Sequence, residues 1–109
     1  MTFIDFNSLA ADKEVAWKSS IVGHVGPANI KVLRMDGSPA IEETHSYNEA
    51  LIVIDGRLLL QVNEETILVE SGQMYLALAG TPHSVLPGSH GTLVIIDDPV
   101  GRTDFGVLP

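Results

Sequence analysis

A series of short apolar segments, separated by turn residues, is the feature that most limits what this chain can fold into. The segments are rich in leucine and β-branched residues and are bounded by Gly, Pro, Asp, Asn and Ser, as strands are. They predict strands at residues 19–25, 30–35, 40–46, 50–54, 57–62, 66–69, 74–78, 84–86 and 92–96. Weak helical or irregular character around 9–15 precedes them. Many short strands without a long helix predict a β-sandwich or barrel.

Turn dipeptides punctuate these segments, at Asp36-Gly37, Asp55-Gly56, Ser71-Gly72 and Pro87-Gly88. The pair Asp55-Gly56 is the strongest hairpin signal, because it lies between two apolar runs. A two-residue type I′ turn needs positive φ at both central positions, and Asp-Gly is one of the pairs that supply it. The chain is therefore predicted to reverse at this point, with 50–54 and 57–62 as the two strands of a hairpin.

The chain of 109 residues has the length of a single domain and can bury one core. We divide it into an irregular N-terminal segment at about 1–18, a barrel at about 19–97 and a C-terminal tail at 98–109. No internal repeat or low-complexity tract is visible in the sequence. The prediction is one all-β domain.

The acidic excess argues against nucleic acids and membranes as partners. The sequence has 6 Lys and Arg residues against 14 Asp and Glu residues, a formal net charge of -8, whereas polyanionic surfaces attract basic patches. The absence of cysteine excludes disulfides, thiolate ligands and a cysteine nucleophile. The start of the sequence has no apolar signal region, and no apolar run approaches a membrane span. These features predict a cytoplasmic protein.

Two of the predicted strands are apolar on both of their alternating faces, namely 50–54 and the stretch 93–96. A strand with one face in water alternates apolar and polar residues, so a second layer must cover the other face here. Either the N-terminal segment or a second copy of the chain could provide that cover. Because a second copy is one of these two covers, we expect a homodimer.

Polar side chains able to carry chemistry concentrate in two places. Glu43, His45 and Tyr47 are two residues apart, so they would share one face of a strand, and Glu49 opens the next strand. A Gly-Thr-Pro turn delivers His83 at the start of a later strand. Two imidazoles and a carboxylate suit a divalent ion such as Fe, Mn, Ni, Cu or Zn. Three protein ligands leave positions open, as a catalytic metal site requires.

The spacing of the first group resembles the first motif of the cupin family, G-x5-H-x-H-x3,4-E-x6-G. Five residues follow Gly37 before Glu43, Thr44 and His45, and Glu49 and Gly56 follow at the motif's spacings. The second group resembles the second motif, G-x5-P-x-G-x2-H-x3-N. It runs through the residues Gly72, Leu78, Gly80 and His83, with Leu86 and Pro87 where the final Asn would stand.

The resemblance implies an all-β, single-domain cupin jelly-roll barrel. It places His45, Glu49 and His83 on three metal-ligand positions, and Glu43 on the fourth, where the family has a histidine. Glu43 would then be a fourth ligand or a catalytic acid or base, and Tyr47 a further catalytic or substrate-contacting residue.

The family also allows four residues between the second His and the Glu. In that alignment Glu42 and Thr44 take the two histidine positions, and His45 falls into the loop. We prefer the three-residue spacing, since it keeps a histidine in a histidine's place.

By resemblance, the expected function is binding of one divalent metal ion (Fe, Mn, Ni or Zn) together with a small organic ligand or substrate, as in a metal-dependent dioxygenase or isomerase. The alternative is a metal-free cupin that binds or senses a small ligand without catalysis. Metal affinity should fall in acid, because the imidazoles must be neutral to bind. The remaining histidines, His24 and His90, lie in turn-rich stretches and are expected to be exposed.

Overall fold

The computed structural model describes residues 2–99, including their side chains except those of Ile41 and Glu42. The predicted C-terminal tail lies outside the described residues from position 100 onward. The elements are α1 (Phe6–Ala11), β1 (Ser20–Val25), β2 (Ala28–Asp36), β3 (Ala40–Glu43), β4 (Glu49–Val62), β5 (Glu65–Glu70), β6 (Met74–Ala77), β7 (His83–Val85) and β8 (His90–Asp97). Within residues 2–99, no helix is long and apolar enough to cross a membrane.

All strands belong to one antiparallel eight-stranded sheet, which confirms the all-β prediction. The hydrogen-bonded path runs β1-β2-β8-β4-β7-β3, and β5 and β6 also pair with β4. The path is open, so the sheet curls around its core without closing into a ring of hydrogen bonds. The central strand β4 pairs with four others, namely β5, β6, β7 and β8.

The helix begins earlier than the sequence pattern indicated. It covers Phe6–Ala11, whereas helical character was expected around 9–15. Asp5 caps its first turn, since its carboxylate accepts a hydrogen bond from the Ser8 backbone N–H at 3.2 Å. The cap residue therefore decides where the helix starts.

The hairpin prediction at Asp55-Gly56 is wrong. Strand β4 runs without reversal through this point and stays paired with β8, with only a register shift between Val53 and Asp55. Gly56 has φ +83 and lies opposite Gly91, where a Cβ on Gly56 would stand 2.0 Å from the His90 carbonyl oxygen. The glycine serves a close approach of two backbones within a bulged strand pair, not a turn.

Replacing Gly56 by alanine should therefore separate β4 from β8. We expect Gly56→Ala to lower the free energy of unfolding by more than about 3 kcal/mol, measured by urea denaturation. Gly72→Ala is the matched control, because Gly72 has a similar φ of +86 with no atom within 4 Å of an added Cβ. Its free energy of unfolding should fall by only about 1–2 kcal/mol, because alanine is strained at this φ. Equal losses in the two variants would contradict this account.

The sheet buries apolar side chains on both faces. The inner cluster includes Leu33, Met35, Leu51, Val53, Leu58, Leu60, Val62, Val69, Leu93 and Ile95. On the other face, Ala10 of α1 packs with Val32 and Val94, flanked by partly buried Ile52 and Ile54. The N-terminal helix thus covers the second face of 50–54, which was one of the two covers considered. The homodimer stays a prediction.

A charge placed under the helix should undock it. We expect Ala10→Asp to lower the free energy of unfolding by about 3 kcal/mol or more, because Ala10 is 1% exposed and an unpaired carboxylate there would be buried. Ala11→Asp makes the same change at the neighbouring exposed position and should cost less than about 1 kcal/mol, as expected from helix propensity. Chemical denaturation of both variants checks this; similar losses would mean that the helix is not docked.

Candidate metal centre

The inner face of the sheet turns polar at the end where β4 begins. Glu49 pairs with Asp97 of β8, and Asp97 pairs in turn with Asn29 of β2, so three polar residues form a row across neighbouring strands. Two residues further into the core the same strands carry Leu51 and Ile95, which are buried. The polar row therefore marks the rim of an apolar interior.

Four polar side chains meet at this rim: Glu43 at the end of β3, His45 in the following loop, Glu49 at the start of β4 and His83 at the start of β7. One ligand atom from each lies within 4.8 Å of those of the others. Glu43 and His83 are register partners across β3 and β7. The structure brings together all four residues that the sequence proposed as metal ligands.

Glu49 is the centre of this cluster. Its Oε1 lies 3.4 Å from His83 Nε2 and 3.9 Å from His45 Nε2. The side chains of Glu49 and His83 are 8% and 7% exposed, whereas that of Glu43 is 55% exposed and contacts His45 at 3.2 Å. A buried carboxylate is thus faced by two imidazole nitrogens, and a second carboxylate stands at the entrance.

The backbone fixes which nitrogen of His83 faces the cluster. His83 Nδ1 lies 3.2 Å from the carbonyl oxygen of Thr81, which only accepts hydrogen bonds, so Nδ1 carries the proton. In the neutral ring, Nε2 then directs its lone pair at Glu49. A lone pair and a carboxylate oxygen at 3.4 Å repel each other unless a proton or a metal ion lies between them.

The loop that carries His45 is tied to the segment before β7. The His45 carbonyl accepts a hydrogen bond from the Gly80 N–H at 2.8 Å, and Asn48 Oδ1 accepts one from the Ala79 N–H at 2.8 Å. The predicted strand 40–46 ends at Glu43, so His45 reaches the site from this loop and not from a strand. The ring of His45 nevertheless joins the cluster, as the three-residue spacing requires. The alternative alignment uses Glu42, whose side chain is not among those that the structure describes.

Tyr47 stacks on the His45 ring, with ring centroids 4.8 Å apart and planes inclined by 21°. Burial raises the pKa of the Tyr47 hydroxyl, and the negative charges of Asp97 and Glu49 raise it further. Tyr47 is thus a protonated hydrogen-bond donor at neutral pH, beside the cluster.

A cavity of about 260 Å³ opens beside the cluster. Its polar end contains Tyr47 and the four clustered residues, and its apolar wall is formed by Leu33, Leu51, Leu58, Leu60, Val85, Leu93 and Ile95. Lys31 and Trp17 also line it, although the sequence pattern indicated neither as a site residue. His24 and His90 are exposed and lie apart from the cluster, as expected.

The sequence profile of the cupin domain matches residues 33–97, more than half of the chain. The chain belongs to the cupin family. The matched stretch contains all four residues of the cluster. The comparison with curated proteins gave no match.

Solved structures share the cupin fold at low sequence identity. A cupin-2 domain containing protein from Shewanella frigidimarina has a TM-score of 0.80 at 21% identity, covering 87% of this chain and 93% of its own. A protein from Neisseria meningitidis has a TM-score of 0.75 at 17% identity, with coverages of 87% and 97%. A protein from Thermus thermophilus has a TM-score of 0.74 at 21% identity, with coverages of 91% and 98%. At these identities the likeness shows the fold alone.

Trp17 closes one side of the cupin cavity and is held by Asp36. The indole N–H donates to Asp36 Oδ1 at 2.8 Å and to Ser38 Oγ at 3.1 Å, and the Trp17 backbone N–H donates to the Arg34 carbonyl at 2.9 Å. The hydrogen bonds from the Ser38 hydroxyl and backbone N–H, followed by that from Trp17, lower the pKa of Asp36 below 3.8. The ionised form of Asp36 is therefore the one that the folded state favours.

Acid should remove the stabilisation that Asp36 contributes. Because its folded-state pKa is lowered, that contribution is complete above the ordinary value of 3.8 and is lost as the pH falls through the folded-state pKa. We expect Asp36→Asn to be less stable than the wild type at pH 7, and the difference to shrink below pH 3.8. Urea unfolding, monitored by the fluorescence of Trp17, measures this stability difference. Trp17 is the sole tryptophan.

Asp55→Asn serves as the control for this experiment, because Asp55 is exposed. Its difference from the wild type should not follow the same pH course. A stability difference for Asp36→Asn that stays constant from neutral to acidic pH would show that the carboxylate is not what holds Trp17.

Proposed function

We propose that this cupin binds one divalent metal ion through His45, Glu49 and His83, with Glu43 as a fourth ligand at the entrance, and that a small organic molecule binds beside it in the cavity. The observation that supports the proposal most directly is the convergence of the four ligand atoms within 4.8 Å. A buried carboxylate facing two imidazoles is costly without a counter-charge, and a divalent cation supplies one.

The donor set fits Fe, Mn, Ni or Zn, since imidazole nitrogens suit borderline metals and carboxylate oxygens suit harder ones. His83 offers the Nε2 lone pair while Thr81 holds the opposite nitrogen, the outer hydrogen bond that orients ligating histidines. The ion would supply Lewis-acid polarisation of a ligand oxygen or, as iron(II), a redox centre for dioxygen chemistry. The apolar wall would exclude water from the bound molecule, and Tyr47 would donate a hydrogen bond to it.

Glu43 differs from the other three residues because its side chain is half-exposed. As a fourth ligand it would close the side of the site that faces solvent and leave the cavity side open to the organic molecule. Replacing it with glutamine separates this role from acid–base catalysis. Weaker metal binding indicates a ligand, whereas full metal content with lost turnover indicates an acid or base.

The wild type should carry about one metal ion per chain after purification, and His45→Ala and His83→Ala should bind it at least about tenfold more weakly. Elemental analysis and metal titration measure both quantities. His24→Ala is the matched control, because His24 is exposed and lies apart from the cluster; its metal content should equal that of the wild type. Affinity should also fall as the pH is lowered, since protons compete for the imidazoles.

Equal metal content in the wild type and in the two site variants would overturn the metal centre. It would leave the metal-free alternative, a cupin that binds a small ligand without catalysis. If metal is bound, oxygen uptake with a panel of organic acids, alcohols and sugars separates a dioxygenase from an isomerase, because only the former consumes dioxygen.

A further inference from the structure

Lys31 brings a positive charge to the wall of the cavity. It lies on β2 opposite Ile95 of β8, on the inner face of the sheet, and its side chain is 20% exposed. Among the described residues that line the cavity, it is the one lysine or arginine; the acidic ones are Glu43 and Glu49. A ligand in this cavity therefore meets the proposed metal centre at one end and an ammonium at another point.

A buried carboxylate holds the ammonium in place. Lys31 Nζ lies 2.6 Å from Asp97 Oδ2, and the Asp97 side chain is 0% exposed. Asp97 is itself fixed, because its Oδ1 accepts a hydrogen bond from Asn29 Nδ2 at 3.1 Å. An ammonium has three N–H donors, so an ion pair with one carboxylate oxygen leaves donors for a further partner.

Stability alone gives little reason for this ion pair. Taking a lysine and an aspartate out of water is costly, and an apolar pair of similar volume is often as stable or more so. The neighbouring wall residues Leu33 and Ile95 are apolar. A positioned lysine nitrogen at the edge of a cavity is, however, a suitable partner for an anionic group of a ligand.

We propose that Lys31 is an anion-binding residue, and that the molecule held at the metal centre carries a carboxylate at the end remote from the metal. The inference rests on the proposed function for the metal-facing end of the ligand. Strands β2 and β4 are separated by β8, so their backbones are roughly 10 Å apart. Lys31 and Glu49 line the same cavity, and a ligand of a few carbon atoms spans a distance of this order.

The charges favour a carboxylate over a phosphate. The ammonium is already paired with Asp97, and Glu49 and Glu43 lie in the same cavity. A doubly charged group would be repelled by these three carboxylates more strongly than a singly charged one. The ligand class is a small dicarboxylic acid, or a carboxylic acid with an oxygen function several atoms from the carboxylate.

Succinate and glutarate, each compared with its monoamide, test the proposal by calorimetric titration of the Mn²⁺-loaded protein. Each diacid and its monoamide can bind the metal equally well, and they differ only in the charge at the far end. In the wild type at least one diacid should bind about ten- to hundredfold more tightly than its monoamide, as expected for a hydrogen bond between charged groups. Lys31→Met should abolish the preference while Mn²⁺ binding stays unchanged.

Three further variants guard against indirect effects. Lys18→Met removes an exposed lysine and should keep the preference. Because Lys31→Met leaves Asp97 buried without its partner, the double variant Lys31→Met/Asp97→Asn removes both charges and should also lack the preference. Lys31→Arg keeps a positive charge and should keep part of the preference for the diacid.

No measurable binding of either diacid to the wild type, equal affinity for diacid and monoamide, or a preference that persists in the double variant would each overturn the anion site. If the wild type does not take up Mn²⁺, the centre is not a Mn²⁺ site, and the same titrations on the metal-free protein still decide the role of Lys31. A preference for the diacid that depends on Lys31 supports the anion site there, and its absence overturns it.

Discussion

The burial of Glu49 between two imidazoles is the interaction on which the site depends. Glu49 is the first residue of β4, the strand that pairs with four others. Its backbone is therefore fixed by the most extensive hydrogen bonding in the sheet, while its carboxylate is turned into the core. His83 arrives from β7 and His45 from a loop tied down at Gly80. The position of β4 thus determines where ligand atoms can converge.

The same strand organises the rest of the cavity. Its first residue belongs to the polar row with Asp97 and Asn29, and the residues beyond it that enter the inner cluster are apolar. This division gives the cavity one end able to bind charge and one wall able to exclude water. Lys31, paired with Asp97, lines the same cavity as the cluster, so a cation and the candidate metal ligands face one small volume.

Much of the fold could be predicted because it depends on local chemistry. Short apolar segments bounded by turn residues marked the strands, and glycines at Gly37, Gly72 and Gly88 have the positive φ of turns. The error at Asp55-Gly56 has a physical cause. A glycine that permits a turn and a glycine that permits two backbones to touch have the same sequence signature, and only the partner Gly91, far along the chain, distinguishes them.

The sequence by itself determined the residue types of the candidate centre, two histidines and two glutamates, together with their motif spacing and the all-β class. Only the tertiary structure decided that a short N-terminal helix covers the outer face and that Lys31 reaches the cavity. The reason is that periodicity and turn preference act over a few neighbouring residues. The depth of a side chain and the charge that faces it depend instead on strands that meet from distant parts of the chain.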